Sequence, residues 1–346
     1  MIFLNKSNIT SLFSVLVYTL KSNYLLFTYL LVPFLMRGYK NTSYLSPILS
    51  FAIIVLLVLL LPKSIGEIDY NKIINKSFVA KISYYLSQGI SAIVNMIIVA
   101  YTVGRIFFYD YSMLIFISIT VLATIYIATN SIEVVFNSST FLLIVAILAI
   151  IFPLFLTNDV KDYSLLKPFN LEFNYSFLLL LYFGLDAISI VISGVKLKTK
   201  ITKGKLLIPI AIIFFFMVLE LLNIILVTGF TFLIDNEFLG FFSLFIQDTI
   251  NYVGALGFLF LYVIPVVGCY RAGYGLRKIK DAFNIKSKWY INLIVGTLLF
   301  IGLYFIITYL DIFIFSLYST IVATILLGVV YVFIIINRST KYEIRF

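Results

Sequence analysis

Residues 177–196 read FLLLLYFGLDAISIVISGVK. At about 1.5 Å of rise per residue, a helix of this length bridges the roughly 30 Å hydrocarbon core of a bilayer. Lipid offers no partner to backbone amides, so such a segment crosses as a helix. Its one acid, Asp186, stands near the middle, beside Gly184. Working outward, nine further segments meet the same requirement, near residues 9–36, 44–62, 82–108, 111–129, 138–156, 206–233, 239–270, 289–309 and 312–336; the quoted stretch belongs to the sixth, at 174–195. The third and eighth are long enough to predict tilt or a break. The fold class is therefore an all-α polytopic membrane protein of about ten transmembrane helices, with residues 1–346 as one transmembrane domain.

Composition agrees. Of 346 residues, 62% are hydrophobic and 12% charged, against about 25% charged in soluble domains. An ordinary globular protein is excluded. The 35 Phe and 25 Tyr suit membrane interfaces and helix packing. A net charge of +10 does not imply nucleic acid, because the basic residues sit in short clusters between apolar runs. No intramolecular disulfide is possible with one cysteine, Cys269. The absence of histidine removes the commonest metal ligand and general base, so an enzyme is not expected and no cofactor is called for. The first apolar run is long and leads to Arg37 and Lys40, unlike a cleavable signal.

Lys and Arg in short loops set orientation. Basic loops follow the second span (Lys63, Lys72, Lys76, Lys81), the sixth (Lys196, Lys198, Lys200, Lys203, Lys205) and the eighth (Arg271, Arg277, Lys278, Lys280, Lys286, Lys288), with Arg338, Lys341 and Arg345 in the tail. The intervening loops carry Asp159, Asp162, Glu172, Asp235, Glu237 and Asp311. Both termini are predicted cytoplasmic, in a multi-pass cell-membrane protein. The odd feature is the loop after the first span, where Arg37 and Lys40 fall on the other side.

The first span carries Lys21, Ser22 and Asn23 between apolar stretches of about 12 residues, each too short to cross alone. A lysine at that depth is costly unless it is paired or faces water. Alternatively it snorkels, or residues 9–20 lie on the membrane surface. In the sixth span, Gly184 loosens the helix, while Asp186 binds an ion, titrates, pairs with Lys21, or seals a salt bridge and nothing more. Gln88, Gly89, Ser91 and Asn95 share a face of the third span, as do Gln247, Asp248 and Asn251 of the eighth. Interhelical hydrogen bonding accounts for most of these, with Asp248 set apart as a site candidate. Glu133 reads as an acid at a helix N-terminus, and Glu220 and Asn223 lie inside the seventh span. Arg271, flanked by Gly268, Gly273 and Gly275, reads as a helix exit. The candidate ligand-binding residues are Lys21, Ser22, Asn23, Gln88, Gly184, Asp186 and Asp248; no metal or phosphate motif is present. The first and sixth spans open two halves of five helices, at about 9–156 and 174–336. Matching halves that begin with interrupted helices are the pattern of inverted-repeat transporters.

The order of several motifs resembles the spore germination receptor B subunits, a branch of the amino acid, polyamine and organocation transporter superfamily. These are LLVP (Leu30 to Pro33), YLSPILSF (Tyr44 to Phe51), PKSIGEIDYNKI (Pro62 to Ile73), SIEVVFNSSTFLLI (Ser131 to Ile144), LLKPFN (Leu165 to Asn170) and FSLFIQDTINYVGALGF (Phe242 to Phe258). Family members usually carry an Arg and an acid in the last motif; here Gln247 replaces the Arg and Asp248 keeps the acid. The small residues common at the family's first break are replaced by Lys21, Ser22 and Asn23. The resemblance implies a LeuT-type 5+5 inverted repeat with broken first and sixth helices. It also implies a site between the first, third, sixth and eighth spans, and partner A and C receptor subunits in a spore inner membrane. The expected function is a permease subunit that binds an amino acid or similar nutrient and signals germination. Two other readings stay open: a proton-coupled amino acid transporter, and a membrane glycan polymerase or flippase. The longest outer loop, about residues 157–173, is short for a glycan polymerase.

Overall fold

The computed structural model describes residues 31–61, 77–107, 110–141, 161–167, 175–194, 202–228, 266–285 and 288–337, with isolated positions at Tyr18, Ile74, Asn75, Phe155 and Asn158. Among them are α1 (Val32–Tyr39), α2 (Leu45–Leu60), α3 (Phe78–Tyr101), α4 (Met113–Thr129), α5 (Ile132–Phe141), α6 (Leu181–Gly194) and α7 (Lys203–Thr228). They are followed by α8 (266–282), α9 (Trp289–Tyr309) and α10 (Ile312–Ile336). No β-strand occurs among the described residues. Each helix overlaps one of the ten expected segments. Four apolar helices, at Phe78–Gly104, Lys203–Val227, Trp289–Tyr309 and Ile312–Ile336, are long enough to cross a bilayer, and α2, α4 and α6 are shorter apolar helices. The chain is an all-α membrane protein.

Local chemistry explains the helix ends. The Ser77 hydroxyl accepts from the Ala80 amide to start α3, and the Asp311 carboxylate accepts from Ile314 N–H at 2.9 Å to start α10. Short polar side chains satisfy amides that a first helical turn leaves open. Asn284, in the left-handed region at φ 51°, closes α8 as Gly or Asn commonly does. Outward residues of α10, at Ile314, Tyr318, Val322, Ile325, Val329, Val332 and Ile336, form one exposed apolar stripe, while Phe313, Leu317, Ala323, Leu327, Val330 and Ile334 face inward. A helix apolar on both faces suits lipid on one side and protein on the other.

The helix ends gather at two levels. At one, the Lys203 ammonium donates to Leu59 O, the Tyr331 hydroxyl to Leu57 O, Arg277 to Thr129 O and Lys280 to Asn292. These contacts join the ends of α2, α4, α8 and α10 to the starts of α7 and α9. At the other level, the 3₁₀ turn Lys40–Thr42 meets the turn Tyr163–Leu166, and the Asp162 amide donates to Leu226 O near the end of α7.

Packing divides the helices into two sets. In one, α2 lies against α6 and α7, with Gly184 closed over Ile54 and Phe51 against Phe214. In the other, α3, α4 and α9 pack together and α8 is wedged between α3 and α4. A Cβ on Gly275 would lie 2.6 Å from Gln88 O, and one on Gly273 2.5 Å from Ile127, so only glycine permits this depth. Helix α10 touches both sets, running along α3 and against α6.

Three expectations change. The interruption placed at Gly184 is absent, since α6 is regular α-helix through Gly184 and Asp186; the departure lies earlier, in the 3₁₀ segment Tyr175–Leu180. Gly184 serves close packing instead. The eighth span does not end at 270, because α8 continues to residue 282, so Arg271 is not a helix exit. The long third span, expected to tilt or break, ends in a π-helical turn at Thr102–Phe107.

Candidate functional site

The two helix sets meet at an ion pair. Asp186 on α6 accepts from Arg271 Nη2 at 2.8 Å, and both side chains are 0% exposed. Arg271 lies eleven residues before the end of α8, about 16 Å along the axis and so roughly half of a hydrocarbon core. The charge pair therefore lies inside the helix bundle, away from the level at which Arg277 and Lys280 join the helix ends.

Tyrosines surround it. Tyr18, Tyr182 and Tyr274 stand around the guanidinium, and all three are buried. The Tyr18 ring packs on Phe136 of α5 and Tyr274 of α8, with centroids 4.8 and 5.4 Å apart, and its hydroxyl donates to Tyr270 O at 3.4 Å. Tyr182 shares a hydrogen bond with the Ser91 hydroxyl of α3, the interhelical contact expected of that face. On α8, Arg271, Tyr274 and Lys278 follow one another at helical spacing. The Tyr274 centroid is 5.7 Å from the Arg271 guanidinium carbon and 5.6 Å from Lys278 Nζ. Aromatic faces attract cations in this way, more so when water is excluded.

Of the sequence candidates, Asp186 is at the centre, paired with Arg271. Gln88 is buried on α3, between Tyr84 and Ser91, and neither atom of its amide finds a partner among the described residues. Gly184 is half a turn from Asp186 and packs on α2. Lys21, Ser22, Asn23 and Asp248 lie outside the described residues, as do Gln247 and Asn251. Tyr18, three positions before Lys21, brings the first segment to the cluster. Asn95 donates to Ser91 O within α3. Glu133 falls in the first turn of α5, and Glu220 and Asn223 are buried on α7. Among the described residues, no three His, Cys, Asp or Glu side chains gather to hold a metal ion.

Arg271 and the three tyrosines 18, 182 and 274 were not legible as site residues. In sequence, Arg271 stands just before the basic run that begins at Arg277. The available signal was its separation from that run by the small and apolar stretch Ala272–Leu276.

An Arg–Asp pair removed from water does little for net stability, because desolvation offsets the attraction. Ionisable groups at membrane depth are rare and usually functional. This layer offers charged and hydrogen-bonding groups where the two helix sets meet, within one continuous apolar core. No protein-family model matches the chain, and no curated protein matches it in sequence.

Proposed function

We propose that this protein is a permease-like subunit that binds an amino acid or similar small nutrient at mid-membrane and passes the binding event to partner proteins. The observation that carries the reading is the buried Asp186–Arg271 pair, which lies within a ring of tyrosines and bridges the two helix sets. A ligand that engages this layer differently in two arrangements of the sets shifts the equilibrium between them. The division into sets supports a LeuT-type arrangement of ten spans, with α2, α6 and α7 moving against α3, α4, α8 and α9. On the resemblance described above, the output is germination signalling through A and C subunits in a spore inner membrane, with both termini cytoplasmic.

The buried acid of the pair also fits a second reading, a proton-coupled amino acid transporter. Proteoliposomes containing the whole protein separate the two. Binding of labelled amino acids without pH-driven uptake supports the receptor reading, and uptake that follows the proton gradient supports the transporter. Absence of binding in both wild type and partner-complemented membranes overturns both.

A further inference from the structure

The guanidinium of Arg271 pairs with Asp186 through one nitrogen and has the Tyr182 hydroxyl beside it. Nη2 donates to Asp186, whereas Nε and Nη1, although buried, find no acceptor among the described residues. An arginine holds a carboxylate most strongly through two parallel N–H groups, and either usable edge, Nε with Nη2 or Nη1 with Nη2, includes Nη2. Asp186 therefore occupies the nitrogen common to both edges and leaves each edge half used. The nearby polar groups are similarly poised. Both atoms of the Gln88 amide and the Tyr274 hydroxyl are buried without a partner among the described residues.

We propose that Asp186 is a placeholder which a zwitterionic amino acid displaces, resting on the mid-membrane binding reading above. The ligand carboxylate takes a two-point seat on Arg271 through Nη2 and either Nε or Nη1. Asp186, released from Nη2, receives the ligand ammonium. Charge decides the ligand class. The Asp186–Arg271 pair is itself neutral, and exchange with a neutral zwitterion leaves each of the two with a counter-charge. A simple carboxylate would leave Asp186 beside an added negative charge, and a simple amine would leave Arg271 beside an added positive one. In a medium that screens poorly, both outcomes are strongly disfavoured. The exchange also breaks the direct link between α6 and α8, which gives ligand binding a route to the packing of the two sets.

The test uses purified whole protein in lipid nanodiscs and three pools at equal concentration: the standard amino acids, their primary amides and their N-acetyl derivatives. Binding is read as the shift in thermal unfolding temperature and by competition. The expected result is stabilisation by the free amino acids, at least about tenfold tighter than either derivative pool. Asp186→Asn, which keeps the shape and removes the charge, should weaken the free amino acids and strengthen the N-acetyl pool. Arg271→Lys should weaken the free amino acids. Equal binding of amides or N-acetyl derivatives to wild type overturns the exchange while leaving a mid-membrane site standing. No stabilisation by any pool overturns both. The wild-type comparison stands even if a variant fails to fold.

Discussion

Removing one member of the Asp186–Arg271 pair leaves the other charged and enclosed. Asp186→Ala should destabilise the protein by about 3–5 kcal/mol, and the double change Asp186→Leu with Arg271→Met should recover most of that, because an apolar pair has no desolvation to offset. Thermal unfolding in detergent checks the order, and an additive double mutant would show that the pair is not a unit. This residue-scale chemistry was half visible in the sequence. Asp186 stood out because hydropathy isolates an acid in an apolar run. Its partner did not, since arginines near loops are read as orientation signals and the end of a glycine-rich span is hard to place. Tyr18, Tyr182 and Tyr274 were hidden among 25 tyrosines, with nothing in the spacing to separate ring contacts from interface use.

Helix placement depends on contacts that glycine permits. A methyl at position 184 would lie 2.4 Å from the Ile54 side chain, so Gly184→Ala should push α6 from α2 and cost about 1–3 kcal/mol. Combining it with Ile54→Ala should restore part of the loss, because the two volumes compete for one space; a purely additive result in unfolding experiments would contradict that packing. At the end of α8, Asn284→Gly should be neutral or stabilising, whereas Asn284→Val should cost about 1–2 kcal/mol, since a β-branched residue resists positive φ. Element boundaries were the most legible part of the fold. The ninth and tenth spans, expected at 289–309 and 312–336, are observed at those positions, because Lys288 and Asp311 interrupt otherwise unbroken apolar runs. The role of Gly184 was misread, as one glycine symbol stands equally for a loosened helix and for close packing.

Sidedness belongs to the whole molecule. Cys269 is the one cysteine and is buried, so introduced cysteines report without background. If all ten helices cross, a membrane-impermeant maleimide applied to intact cells should label Asn158→Cys and Asp311→Cys and leave Asn130→Cys and Asn284→Cys unlabelled; any other partition changes the number of crossings or their direction. The grouping into two sets was not legible, because no local pattern in α2, α6 or α7 states which helix each will meet. The contact between α3 and α10 has a separate consequence for biosynthesis. About 210 residues separate the end of α3 from the start of α10, so at ribosomal rates α3 waits roughly 10–40 s for its cover. During that interval a helix carrying Gln88, Ser91 and Asn95 is in the membrane without the neighbour that packs along it. A nascent chain stopped after Asp311 should therefore be held by insertion chaperones and cleared by membrane proteases, and pulse-chase labelling should find it shorter-lived than the chain that includes α10. Quality control of this protein is thus expected to turn on the arrival of α10.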